Sequence, residues 1–150
     1  MSASLNNSKA LLYKGLLKPI HKICLLLLVL VSCSKGEGYV PEIPLKYSLT
    51  IQQFNIEAKN GVLLVPNEGV AGLLIVSTAT GYKAYDRCST VNPENLCKIV
   101  PDVGGITVTD PCTDAKWLLM DGSPQKAPAV HYLKSYTVRI QGSQLIQVTN

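Results

Sequence analysis

The chain has 150 residues, about one domain by length, with 14 basic and 10 acidic residues for a formal net charge of +4. The surplus is local: Lys9, Lys14, Lys18 and Lys22 precede the first acid, Glu37, and the ten basic and ten acidic residues from Cys33 onward cancel. A neutral body excludes a basic nucleic-acid binder, which needs cationic surface to release counterions from phosphates, and five cysteines are too few for a disulfide-dense mini-scaffold.

Residues 1–22 are polar and basic, and Ile23–Val31 is a run of nine apolar residues. Nine is far short of the roughly 20 needed to span a bilayer, but it suits the hydrophobic region of a secretory signal behind a lysine-bearing leader. Leu30-Val31-Ser32-Cys33 follows. It resembles the bacterial lipoprotein signal, in which the thiol accepts a diacylglyceryl group and a small residue lets the peptidase cut just before it. The expected organisation is a signal peptide over 1–32, a lipid-anchored tether over 33–44 with Cys33 as the lipidated residue, and a β domain over 45–150. The expected location is the bacterial cell envelope, on the outer membrane because no Asp follows Cys33. Two or more acyl chains hold a protein stably where one does not.

The segment Ser34–Pro44 contains two Gly and two Pro and reads as a tether. Leu45, Tyr47, Leu49 and Ile51 then alternate with Lys46, Ser48, Thr50 and Gln52, the period of a half-buried strand. Further short β-rich runs are expected at Gly61–Val65, Leu73–Ser77, Tyr82–Asp86, Ile106–Thr109, Lys116–Met120, Ser135–Gln141 and Gln144–Val148. Turn residues separate them, among them Asn60-Gly61, Pro66–Gly69, Gly104-Gly105, Asp121-Gly122 and Gln141–Ser143. Short, regularly punctuated strands with no convincing helical face predict an all-β chain, a small antiparallel sandwich or barrel. Trp117 and Met120 are expected in or near the core.

Beyond Cys33 and Cys24 in the leader, three cysteines remain: Cys88, Cys97 and Cys112. An exported protein meets an oxidising compartment, so a disulfide is the first expectation. Three thiols allow three single pairings, each leaving one thiol over. Cys88 and Cys97 lie in one turn-rich segment and Cys112 in another, so a bridge between the segments staples two loops.

The stretch from about Gly81 to Val148 resembles a Rieske-type domain. Pro111-Cys112 and Trp117 match part of the second cluster loop, Gly81–Arg87 matches the strand leading into the first, and Leu118–Pro124, Ala127-Pro128-Ala129, Leu133 and Tyr136 match the stretch that follows. The resemblance implies a two-iron two-sulfur cluster held on two loops by two Cys and two His. The ligand types are missing. Asp110 stands for the second-loop Cys and Thr113 for its His, and in the first loop the pair is Cys88 and Thr90, or by the other counting Ser89 and Val91. These degenerate positions lack the soft thiolate and imidazole donors that iron–sulfur centres need, so no cofactor is expected. The matched Cys97 and Cys112 are those of the family's disulfide. Such a bridge closes a loop of about 15 residues, contributing on the order of 3 kcal/mol. Cys88 is then a free thiol or a competitor for Cys112.

Other constellations are weak. Cys88, Cys97, Cys112 and His131 sum to a zinc set, but no two lie at knuckle spacing. Asp110, Asp114 and Asp121 fit no calcium loop and read as turn and cap residues. His131 is a lone surface or interface histidine without a nucleophile. Gly104-Gly105 lacks the Gly-Lys-Ser/Thr of a phosphate loop. The sequence therefore implies a membrane-anchored, non-enzymatic structural or binding module, with a protein or small molecule of unstated kind as partner. An iron–sulfur electron carrier is the alternative. A thiol-redox protein using Cys88 against the Cys97–Cys112 bridge is the second.

Overall fold

The apolar run Leu73-Leu74-Ile75-Val76 is too continuous for a strand with one wet face, and the computed structural model shows why. It describes residues 39–150. All four side chains are buried, Leu74 and Val76 in one core cluster and Leu73 and Ile75 in another. The strand that carries them is therefore covered on both faces, and the chain is built around it. The signal segment 1–32, Cys33 and the start of the tether lie outside the described residues.

Among the described residues, ten strands form two antiparallel sheets. The larger contains β1 (Lys46–Thr50), β2 (Val62–Val65), β3 (Leu73–Thr78), β4 (Gly81–Asp86), β9 (Ser135–Gln141) and β10 (Leu145–Thr149), in the order β1-β10-β9-β4-β3-β2. The smaller contains β5 (Val100–Pro101), β6 (Thr107–Thr109), β7 (Lys116–Leu118) and β8 (Pro124–Lys126), in sequence order. β9 pairs with β4 only at Ala84↔Tyr136 and Tyr85↔Ser135, so the larger sheet opens beyond that point and curls into a half-barrel. The fold is all-β, as the punctuation of the sequence implies.

Among the described residues, one helix breaks that pattern. Alternation over 45–52 predicts a strand through Gln52, but the strand stops at Thr50 and α1 spans Ile51–Glu57. Thr50 is the cause: its backbone is extended and its Oγ1 accepts from Gln53 N at 3.0 Å, a helix N-cap. Gln53 Nε2 donates to Glu57 Oε1 at 2.9 Å, four residues on. Phe54 is the one buried residue of α1, set edge-on to Tyr82 with ring centroids 5.0 Å apart. About two turns with a single buried side chain present no repeating apolar face.

Two further strands, β5 and β8, have no pattern that marks them, since two or three residues cannot display a period. Lys116–Met120 is shorter than its β-rich composition predicts. β7 ends at Leu118, Gly122 N donates to Leu118 O at 2.8 Å, and Met120 is 65% exposed rather than packed. Trp117 is fully buried.

The two cores share the β2–β4 part of the larger sheet. One face packs Val62, Leu74, Val76 and Tyr85 against Val108, Trp117 and Leu119 of the smaller sheet and its flanking turn. The other packs Leu63, Leu73, Ile75 and Ala84 against Phe54, Ile146 and Val148 inside the half-barrel. The end of the tether segment docks on the domain. Val40 is buried with Ala71 and Cys88, Glu42 pairs with Lys134, and Asn150 Nδ2 donates to Ile43 O at 2.9 Å.

Candidate functional site

Two loops meet at the end of the smaller sheet. The first, residues 87–99, leaves β4 and turns through a 3-10 segment at Pro93–Asn95. Left-handed residues flank the turn, Asn92 at φ 52° and Leu96 at φ 51°. Asn adopts that region readily and Leu rarely does. The second loop, residues 110–115, joins β6 to β7. Asp114 N donates to Asp110 O at 2.8 Å and Asp110 N to Ala115 O at 2.9 Å, closing the turn on itself. Ser89 N donates to Cys97 O at 2.8 Å, and Cys88 bridges to Lys98, so the first loop is also a closed hairpin.

A disulfide joins the loops: Cys97 and Cys112 are bonded, with their Cα atoms 6.3 Å apart. Beneath it lies Asp110, fully buried. Its Oδ2 accepts from Ser89 Oγ and from Thr113 Oγ1, both at 2.7 Å, and its Oδ1 accepts from Cys112 N at 2.8 Å. Ser89 Oγ in turn accepts from Val91 N at 3.1 Å. Each polar side-chain atom buried among the described residues has a partner.

The structure thus brings together Ser89, Asp110 and Thr113, and it leaves Cys88 and Thr90 outside. Cys88 is buried against Val40 and Ala71, with its Sγ 3.5 Å from Pro93 O. Burial, then the negative charges of Asp86, Asp110 and Glu94, push its thiol up to about 11, where little thiolate exists to attack a disulfide. Thr90 Oγ1 donates to His131 O at 3.3 Å, and Trp117 Nε1 donates to the same carbonyl at 2.9 Å. Val91 is half-buried against the core. Of the first-loop residues considered, Ser89 is the one whose side chain reaches Asp110.

A two-iron two-sulfur cluster does not fit this donor set. Two hydroxyls and a carboxylate meet between the loops, and none is the thiolate or imidazole such a cluster takes. The sulfurs nearest the loops are bonded to each other. His131 is exposed, and its backbone carbonyl, not its ring, reaches the loops. The three aspartates considered for calcium lie apart in function: Asp114 pairs with Lys126, Asp121 accepts from Ser123 N at 2.9 Å, and Asp110 clasps the loops.

Sequence reasoning missed one group. Asp86, at the end of β4, is fully buried and accepts from Val70 N at 2.6 Å, Ala71 N at 3.1 Å, Cys88 N at 2.7 Å and Tyr136 OH at 2.7 Å. An acid closing a strand looks like any solvated strand end. Gly69 packs against it in the fold, where a Cβ would fall 2.6 Å from Asp86 Oδ2.

No family model matches the chain, and no curated protein matches it. Among solved structures the chain is similar to the ferredoxin of carbazole 1,9a-dioxygenase from Nocardioides aromaticivorans IC177, at 14% identity and a TM-score of 0.47, over 73% of this chain and 100% of that one. It is also similar to the plasma membrane Rieske protein PetC3 from Synechocystis PCC 6803, at 16% identity and a TM-score of 0.47, over 71% of this chain and 98% of that one. In this all-β chain a Cys97–Cys112 disulfide joins the two loops.

Proposed function

We propose that the protein is a lipid-anchored lipoprotein of the bacterial cell envelope. Its Rieske-like domain is a structural or binding module without catalytic activity and without an iron–sulfur centre. One observation carries this reading: the two loops are held by Ser89–Asp110–Thr113 hydrogen bonds and a disulfide, an arrangement with no soft donor free for iron. The network supplies the rigidity that a cluster supplies elsewhere. The membrane is reached through Cys33, and the domain meets a protein or small molecule outside the cytoplasm. The leader, the nine-residue apolar run and Leu30-Val31-Ser32-Cys33 support the anchor.

The test is spectroscopic. The full chain, purified anaerobically in detergent, is expected to be colourless, to contain no stoichiometric iron, and to give no paramagnetic signal after dithionite. A brown protein with two irons per chain overturns the reading in favour of an electron carrier. The anchor is tested separately: an alkyne fatty acid fed to cells labels the protein, and Cys33→Ala abolishes the label. Labelling that survives the substitution removes the lipid anchor.

A further inference from the structure

We propose that reduction of the Cys97–Cys112 disulfide turns the clasp between the loops into a binding site for a thiophilic divalent cation such as Zn2+. The ligands are Cys97 Sγ, Cys112 Sγ and a carboxylate oxygen of Asp110. The inference rests on the absence of a cluster from these loops but not on the lipid anchor.

The ligand atoms are already gathered. One from each of Cys97, Asp110 and Cys112 lies within 4.8 Å of the others. Two sulfurs on a tetrahedral zinc sit about 3.8 Å apart, given zinc–sulfur bonds of about 2.3 Å. The Cα separation of 6.3 Å allows that with side-chain rotation alone. Three protein ligands leave the fourth tetrahedral position for water.

The loops have contacts besides the sulfur–sulfur bond. Ser89 N to Cys97 O holds the first loop, and Asp114 N to Asp110 O holds the second. Ser89 Oγ on Asp110 ties the two together, and Thr113 Oγ1 braces the same carboxylate from within the second loop. The same bonds are the outer shell that aims a carboxylate ligand. The partners of Asp110 are all neutral: two hydroxyls and one backbone amide. Asp110 is fully buried, yet the ion pairs among the described residues are Lys116–Asp102, Lys126–Asp114 and Lys134–Glu42. Burying a carboxylate with no cation beside it is costly, and a metal at this point offsets the cost.

The chemistry balances with a dithiol, free or on a protein, as reductant. One of its thiolates attacks exposed Cys112 Sγ and displaces Cys97 as thiolate. The second then displaces Cys112 and leaves the reductant as a disulfide, so two electrons and two protons pass to the cysteines. The cation binds both sulfurs as thiolates and releases those two protons to solvent, so affinity rises with pH. Cys88 takes no part, being buried beside Val40 and Ala71.

The experiment titrates the full chain in detergent with Cd2+ and Co2+, before and after reduction by a phosphine, which ends as its oxide with oxygen from water. The reduced chain is expected to bind one equivalent with a thiolate-to-metal ultraviolet band, and the oxidised chain none. Cys97→Ser abolishes the band, Asp110→Asn weakens binding at least about tenfold, and Cys88→Ser leaves it unchanged. Circular dichroism follows the fold of each reduced variant. The proposal is overturned if the reduced chain takes up no metal, if the oxidised chain binds equally, if binding survives Cys97→Ser, or if Cys88→Ser abolishes it. A reduced chain that unfolds and is not refolded by metal also overturns it. Iron in the protein as isolated decides the earlier reading independently of this titration.

Discussion

Asp86 and Asp110 are both fully buried, and neither pairs with a cation among the described residues, yet they are satisfied in opposite ways. Asp86 accepts three backbone amides and a phenol, gathering the 66–72 loop, the start of the first cysteine loop and β9 around the end of β4. Asp110 accepts one amide and two hydroxyls, and two of these donors sit in its own loop. Asp86 organises backbone that has no other partner, so the chain depends on it. Asp110 ties together loops that a disulfide already joins. The same residue type, equally buried, is a foundation in one place and a clasp in the other, and the donors around it decide which.

The comparison is broken most directly at Asp86. Asp86→Ala strands four donors, each costing about 1–3 kcal/mol when buried and unpaired, so urea unfolding is expected to show a loss on the order of 4 kcal/mol or more. Tyr136→Phe, which removes one donor along with its need, costs about 1 kcal/mol. Next comes the disulfide. Cys97→Ser with Cys112→Ser is expected to lower stability by about 3 kcal/mol through the freed unfolded chain.

Asp110→Ala with the disulfide intact is expected to cost about 2 kcal/mol, less than Asp86→Ala, because fewer buried donors are stranded. Combining it with the cysteine substitutions sharpens the contrast. The two act on one pair of loops, so their effects couple by at least about 0.5 kcal/mol instead of adding. Strict additivity in denaturant titrations would show that clasp and disulfide are independent.

The smallest effect is in alkali. The Cys88 thiol, between these two carboxylates, is pushed from 9.0 up to about 11, by burial first and then by the charges of Asp86, Asp110 and Glu94. The folded chain therefore holds this proton more tightly than the unfolded chain does. The stability it contributes is full below pH 9.0 and is lost as pH rises to about 11. Cys88→Ala is expected to flatten that part of the pH–stability curve, read by chemical denaturation at successive pH values. An unchanged slope would mean that the thiol titrates normally in the fold.

Much of the larger sheet was legible. Ser135–Gln141 is the strand its composition predicts, and β2, β3, β4 and β10 fall within a residue of expectation, because turn residues such as Asn60-Gly61 mark their ends. The smaller sheet was half legible. β6 and β7 show as β-rich runs, while β5 and β8 owe their existence to the neighbours they pair with. The resemblance named the right pair of cysteines. It left open which first-loop residue faces Asp110, and the answer, Ser89, depends on a contact across 21 positions.

By itself the sequence determined the all-β class, the turns, and the basic residues ahead of a neutral body, since each is a matter of local composition and period. Only the tertiary structure decided that Leu73–Val76 serves two cores, that Thr50 turns a strand into a helix, and that Asp86 is a buried anchor for Tyr136, 50 positions away. The reason is the range of the forces. Backbone preference and hydrophobic period act over a few neighbours, whereas the desolvation of a carboxylate is set by whatever the fold brings around it.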